Sequence, residues 1–328
     1  MTIKAFITGG TGFVGTNLVR LLLQQGHQVR VLVRPKSCLD NLKGLDIEQV
    51  EGNINDPDLA AKIRGTHILF HVAAHYSLYQ QDRQQLYQSN VLGTRSVLAA
   101  ARQAKIERTV YTSSVAAIGV GEFGKTIDET HQSPVEKLVG HYKKSKYWAE
   151  QEAYKAIQKG QDIVIVNPST PIGPWDIKPT PTGKIILRFL RRQMPAYIET
   201  GLNLIDVRDV AWGHLLALEK GKSGERYLLG NKNVSLKVLL EELATITRLN
   251  GPRQTVPLWL PLIVAWAEES LLVPLGRSPS LSLDEVRMSR TPMYYDGTKA
   301  VKELGLPQSS IKQALQDAVT WFVNHGYS

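Results

Sequence analysis

A tyrosine and a lysine four residues apart, Tyr142 and Lys146 in "GHYKKSKYWAE" (140–150), form the pair in this chain best suited to moving a proton. The surrounding pattern is helical, and residues four apart on a helix share a face. A free phenol, with a pKa of about 10, is a poor base at neutral pH. A neighbouring ammonium favours the phenolate and lowers that value. Such a pair can take a proton from an alcohol, or give one to a ketone, while hydride moves. Lys143 and Lys144, between them, are expected to be solvated. Ser114, 28 residues earlier in "YTSSVAAIG", ends a predicted strand, where its hydroxyl can hold a substrate oxygen beside the phenol.

A second motif explains where hydride would come from. In "TGGTGFVG", Gly9, Gly12 and Gly15 have the spacing G-x-x-G-x-x-G, between a predicted strand and an amphipathic helix. Glycines there permit a tight turn and close backbone approach to a pyrophosphate, and the helix start adds N–H groups and a positive dipole end. The next strand ends in "VLVRPKS". A carboxylate at that point would accept the ribose 2′-hydroxyl of NAD. Arg34, with Lys36 just behind, stands there instead and suits a 2′-phosphate, so NADP(H) is expected over NAD(H).

These residues need a sheet to position them. Apolar runs at 4–8, 28–33, 47–52, 67–74, 108–114 and 162–169 alternate with stretches of three- and four-residue apolar spacing. That alternation predicts parallel βαβ units, a Rossmann-type doubly wound α/β sheet with helices on both faces. The rhythm breaks near residue 170. "NPSTPIGPWDIKPTPTG" (167–183) reads as a long irregular loop, followed by helices near 209–220, 235–249 and 309–325 and a strand at "RYLLG". Two portions are expected: a nucleotide-binding one over 1–170 and a smaller α/β substrate-binding one over 171–328. Part of 200–235 is expected to return to the first sheet.

Taken together, the glycine turn, "HVAA" (71–74), "NVLGT" (90–94), "TSS" (112–114), "YKKSK" (142–146) and "NPS" (167–169) resemble the extended short-chain dehydrogenases/reductases over nearly the whole chain. The resemblance implies that Ser114, Tyr142 and Lys146 form the catalytic triad and that Asn90 orders the active-site helix. It implies cofactor contacts from Gly9, Thr11, Gly12, Phe13, Val14 and Gly15, and from Arg34, Lys36, Asn53 and Ile54. Further contacts are implied for Ala73, Ala74, Thr112, Pro168 and Ser169. Many relatives carry an acidic residue where Asn53 stands, and its amide can still reach adenine. Longer stretches at 167–186, 194–221 and 224–236 resemble hopanoid-associated sugar epimerases, and the chain is also similar to dihydroflavonol 4-reductases.

Two enzymatic readings follow, a hopanoid-associated sugar epimerase as the expected one and a ketone reductase of the dihydroflavonol 4-reductase type as its alternative. In a sugar epimerase, hydride leaves a carbinol carbon and returns to its other face. In an NADPH-dependent ketone reductase, Tyr142 donates its proton and the cofactor is consumed. A non-catalytic nucleotide-sensing protein would be expected to have lost Tyr142 or Lys146. Candidate substrate contacts are His75, Tyr76 and Tyr79 beyond the fourth strand, Lys178 and Thr180 in the proline-rich segment, and Arg208. Asp209 reads as a helix N-cap, and His71 as a core residue.

The 328 residues are 43% hydrophobic and 21% charged, with a formal net charge of +9. The basic residues form no dense stripe, so no nucleic-acid partner is expected. The single cysteine, Cys38, rules out an internal disulfide and points to a reducing compartment. No metal-ligand spacing is present. The uncharged run 254–267 is shorter than the ~20 residues of a membrane span. Its Trp259 and Trp266 suggest either a helix over the substrate cleft or a peripheral contact with the inner membrane face. The expected setting is therefore cytoplasmic, with a sugar or hopanoid-linked small-molecule substrate and a homodimer as a further option.

Overall fold

A computed structural model describes residues 2–122, 125–272, 275 and 281–327. Strand β1 (Lys4–Thr8) leads into α1 (Phe13–Gln24), β2 (Gln28–Val33), β3 (Glu48–Glu51), α2 (Leu59–Ile63) and β4 (Ile68–His71). Next come α3 (Arg83–Leu86), a π-helical turn (Tyr87–Leu92), α4 (Gly93–Gln103), β5 (Arg108–Thr112), α5 (Val115–Ile118), α6 (Gly140–Gln158) and β6 (Ile163–Pro168). The second half holds β7 (Thr170–Ile172), α7 (Pro181–Leu190), β8 (Ala196–Tyr197), β9 (Gly201–Asp206), α8 (Val207–Lys220), β10 (Arg226–Leu229) and β11 (Lys232–Ser235). It continues with α9 (Leu236–Thr247), β12 (Gln254–Thr255), α10 (Trp259–Leu272), α11 (Leu283–Met288) and α12 (Ile311–Asn324).

Seven strands form one parallel sheet in the order β10-β6-β5-β4-β1-β2-β3, a Rossmann-like α/β arrangement. Its strands read as continuous apolar runs because both faces are covered. On one face Ile7, Val31 and Val110 pack beneath α1 and α8, through Leu18, Leu22 and Leu215. On the other, Phe6 and Leu69 meet Val97 of α4, and Ile163 meets Ala149 and Ala153 of α6. Strand order reverses between β1 and β4, which opens a crevice at their carboxyl ends, where ligands bind in such sheets.

The chain returns to this sheet late: Arg226–Leu229 pairs with Ile165–Pro168. A separate three-stranded sheet, β11-β9-β7, lies on its own core with α7, α9 and α12, through Ile186, Leu240 and Phe322.

Two expectations are corrected. The proline-rich segment is not one irregular loop, because Thr170–Ile172 pairs with Leu204–Asp206 and α7 starts at Pro181. Proline suits that first helical position, and Thr180 accepts the Gly183 N–H as its N-cap. Helix α8 begins two residues earlier than expected, at Val207, and its N-cap is Asp206, which accepts the Arg208 N–H at 2.8 Å. Asp209 lies in the first turn and instead accepts the N–H and hydroxyl of Ser309 at 2.7 Å each. Among the described residues no helix is long and apolar enough to cross a membrane.

Candidate active site

The glycine turn sits at the mouth of the crevice. Gly9 has φ +77°, and a Cβ there would lie 2.6 Å from the Ala73 nitrogen. A Cβ at Gly15 would run into the Gly9 carbonyl. Gly12 caps α1 without a side chain, and no acidic residue occupies the first turn. The first N–H groups of the helix therefore have no intrahelical partner. A cradle with no room for side chains, and with donors pointing out of it, fits the pyrophosphate of a dinucleotide.

Around the turn, Arg34 and Lys36 are exposed beyond β2, and Lys36 has φ 63°. Thr8 pairs with Leu32, which puts Arg34 level with Gly10 one strand away. Asn53 is exposed past β3, its Oδ1 accepting the Asn55 N–H at 3.2 Å, with Ile54 half-buried beside it. The Ala73 N–H donates to Thr8 Oγ1 at 3.3 Å, and Ala74 is exposed. Beyond Pro168, the Ser169 hydroxyl is buried without a partner among the described residues.

Motif reading missed the clamp beneath the turn. Buried Asn41 donates through Nδ2 to the carbonyls of Thr11 and Trp175, both at 3.2 Å. Asn17 donates to those of Phe13 and Pro174, and the Arg20 guanidinium lies 3.6 Å over the Trp175 ring. These contacts tie the turn to the segment after β7. Lone asparagines and a tryptophan far apart in sequence carry no pattern that would reveal them.

Ser114 ends the β5 connection as N-cap of α5, accepting the Ala116 N–H at 3.1 Å. Its hydroxyl is also near enough to the Tyr142 phenol to act on its acidity. Burial pushes that phenol up to about 12, and Ser114 pulls the other way. Here the expectation is corrected: burial outweighs the lowering expected from the Lys146 ammonium, and the phenol ends above its ordinary value. Lys146 Nζ donates to the Thr112 carbonyl at 2.9 Å, and burial brings its pKa down to about 8 against the pull of Glu150. The Thr112 hydroxyl is bonded to His214 Nε2 at 2.8 Å.

Asn90 lies in the π-helical turn, a feature common at functional sites. It accepts the His75 N–H at 2.7 Å and donates to the His75 carbonyl and to Ser145 Oγ, both at 2.9 Å. Ser145 in turn donates to the Tyr142 carbonyl at 2.7 Å. Asn90 thus joins the His75 segment to the first turn of α6.

Tyr76 sets its ring against Tyr142, centroids 4.6 Å apart, and His75 Nε2 is buried without a partner among the described residues. Tyr79 lies where the charges of Glu285 and Arg188 reach it. His71 is a core residue, bonded to Thr8 and Thr94 and held neutral by burial at about 3.

Of the other candidates, Lys178 is exposed and Thr180 spends its hydroxyl on Asp176 and the α7 cap. Arg208 pairs with Asp206 and Asp317, each at 2.6 Å. Glu150, which no motif singled out, accepts from Ser113, Asn167 and Arg226 and so fixes α6 to β6, to β10 and to the residue just after β5.

Lys143 is the sharpest departure. It is only 6% exposed, and its ammonium has no hydrogen-bond or ion-pair partner among the described residues. Burial lowers its pKa from 10.5 to about 8, a change worth roughly 3 kcal/mol against the charged form. Because the folded value lies below the unfolded one, this penalty is fully present below pH 8 and fades as pH climbs toward 10.5. A Lys143→Met variant is expected to melt several degrees higher than the wild type at pH 7, with the gain shrinking by pH 10. Thermal melts at the two pH values check this, and an earlier melt at pH 7 would refute it.

The chain matches the model of the NAD dependent epimerase/dehydratase family over residues 5–230. It is 69% identical over 326 residues to a putative dihydroflavonol 4-reductase of Synechocystis sp., covering 98% of this chain and 95% of that protein. Sterol demethylase protein B of Methylococcus capsulatus is 34% identical over 324 residues, with 98% of each chain covered. A solved nucleoside-diphosphate-sugar epimerase from Pseudomonas aeruginosa superposes with a TM-score of 0.83 at 25% identity, covering 100% of this chain and 99% of that one.

Proposed function

The chain belongs to the NAD dependent epimerase/dehydratase family and is an NAD(P)-dependent oxidoreductase or epimerase, and we propose that it reduces a ketone at the expense of NADPH. One observation carries this reading: half-buried Tyr142 is packed against the Tyr76 ring beside Ser114, and burial pushes its phenol up to about 12, so that it carries its proton at neutral pH. A phenol kept protonated is a proton donor, which is what reduction asks of it.

In this reading the substrate carbonyl oxygen accepts hydrogen bonds from Tyr142 and Ser114. When bound, the reduced nicotinamide supplies hydride to the carbonyl carbon. Tyr142 gives its proton to the oxygen as negative charge develops there, and the Lys146 cation on the same helix stabilises the phenolate left behind. Asn90 is a positioning residue, acting through Ser145 on the Tyr142 backbone. The glycine turn holds the pyrophosphate, Arg34 and Lys36 the 2′-phosphate, and Asn53 and Ile54 the adenine side. Ala73, Ala74, Thr112, Pro168 and Ser169 line the rest of the cofactor.

His75, Tyr76 and Tyr79 face the substrate, and residues 171–328 supply the remaining wall. A hopanoid-linked ketone is the proposed substrate class. The resemblance to hopanoid-associated proteins and the sterol named for the Methylococcus relative support it.

A sugar epimerase is the second reading, supported by the family's description and by the Pseudomonas structure. Tyr142 would then accept a proton before returning it. The two separate in one assay. With candidate ketones and sugar nucleotides supplied in turn, absorbance of the reduced cofactor is followed alongside product isomers. Stoichiometric NADPH loss with a ketone is expected. Isomer conversion without net NADPH loss would overturn reduction in favour of epimerisation.

A further inference from the structure

Helix α10 is built with its polarity reversed. Seven of the exposed large apolar side chains among the described residues fall within 259–275: Trp259, Leu260, Ile263, Val264, Trp266, Leu271 and Leu275. Trp259, Ile263 and Trp266 stand one helical turn apart on one ridge, with Trp259 60% and Trp266 63% exposed. Only Ala265 of the helix is buried. Its two charged residues turn the other way. Glu268 accepts the Leu281 N–H at 3.3 Å and Glu269 the Leu283 N–H at 2.8 Å, so both help hold the start of α11. A soluble helix puts its apolar stripe inward and its charges outward; α10 does the opposite.

The rim of this face is basic. Arg192 and Arg253 line one surface depression, where β8 pairs with β12 just before α10, and both are exposed together with Arg191. In the last turn of α11 and just past it, Arg287 and Arg290 are exposed as well, Arg287 within 3.5 Å of Asp284. An uncharged, tryptophan-bearing face bordered by guanidinium groups matches the interfacial zone of an anionic bilayer, where indole rings sit at headgroup depth and arginines meet phosphate. An apolar protein surface would answer the tryptophans but not the arginine rim.

The face also lies close to the chemistry. Helix α11, which α10 supports, rests on the first residue of α6: Gly140 has φ +82°, and a Cβ there would lie 3.0 Å from Asp284 Oδ2. Tyr142 is two residues further on. Burial, then Tyr142 and then the Glu285 carboxylate of α11 push the Tyr76 phenol up.

We infer that α10 is an interfacial membrane anchor that docks the protein on anionic phospholipid with the cleft roofed by α11 facing the bilayer. This surface is independent of whether the enzyme reduces or epimerises. The test is co-sedimentation of the full chain with vesicles of phosphatidylglycerol and phosphatidylcholine, compared with phosphatidylcholine alone, at low and high salt. Wild type is expected to partition at least tenfold more to the anionic vesicles and to lose most of that preference in high salt.

Trp259→Glu/Trp266→Glu is expected to reduce binding at least tenfold on both vesicle types. Arg192→Glu/Arg253→Glu should cancel the anionic preference. NADPH titration shows that each variant remains folded. A wild type that stays in the supernatant, or a tryptophan variant that binds as well as wild type, overturns the inference. So does a concentration-dependent dimer, seen by sedimentation velocity, that the tryptophan substitutions abolish, since the face would then belong to a second copy.

Discussion

Replacing Tyr142 by phenylalanine is expected to lower kcat for ketone reduction by about 10²–10⁴-fold while leaving NADPH affinity within a few-fold of wild type. The ring keeps its place against Tyr76, and only the proton is lost. The pH profile sharpens the test. With its pKa up at about 12, the Tyr142 phenol remains protonated through the neutral range and imposes no break there on reduction. Alcohol oxidation needs the phenolate and should quicken about tenfold per pH unit. Lys146 titrates sooner, at about 8. Above that pH its cation is lost, with it the field that favours proton departure from the phenol. Reduction should therefore decline above about pH 8, and Lys146→Met should be slower but flat across that range. Single-turnover rates from pH 6 to 10 give both results. Full activity in the phenylalanine variant would remove Tyr142 from the mechanism, and an unchanged decline in Lys146→Met would remove Lys146 from it.

The pattern of success in reading the sequence has a physical basis. Runs 4–8 and 28–33 coincide with β1 and β2 because strands covered on both faces are apolar throughout. Tyr142, Lys146 and the glycine turn stand out because each is written within one helix or one turn. Features that depend on residues distant in sequence were not legible. Strand β7 exists because β9, some thirty residues on, lies beside it, and proline-rich composition concealed that pairing. Asp206 and Asp209 are equally good caps by type, and only the extended end of β9 selects the first. Lys143 looked like a solvated residue because a charge run normally is a solvated face. Its burial depends on what the fold packs against that turn of α6, which helical spacing does not reveal.

The same division separates the proposed catalytic residues from what holds them. Asn41, Asn17 and Trp175 bind the glycine turn to the segment after β7, so the proposed cofactor cradle and the second core are mechanically one piece. Glu150 does likewise for α6, accepting from residues on β6 and β10 and from Ser113. Bonds from one buried carboxylate to several elements restrict the α6 surface that carries Tyr142 and Lys146. A proton donor gains rate from being held in place before the reaction.

Cofactor choice should turn on Arg34. The residue stands level with Gly10 through the β1–β2 register, at the position where an acidic side chain would receive the ribose 2′-hydroxyl. Its charge is felt across the crevice: burial lowers the His75 pKa most, Asp82 raises it, and Arg34 lowers it further. Charge-assisted hydrogen bonds to a phosphate are worth about 1.5–3 kcal/mol, or roughly 10- to 150-fold in affinity. Arg34→Asp removes them and adds repulsion toward the 2′-phosphate, while giving the 2′-hydroxyl of NADH an acceptor. The preference for NADPH over NADH, as a ratio of kcat/KM with one ketone, is therefore expected to fall by about 10³-fold. Lys36→Ala, which leaves Arg34 in place, should cost less, because an ammonium on a flexible stem lacks the two-pronged geometry of a guanidinium. A ratio unmoved in Arg34→Asp would take the 2′-phosphate away from this corner of the crevice, and with it the case for NADPH as the reductant.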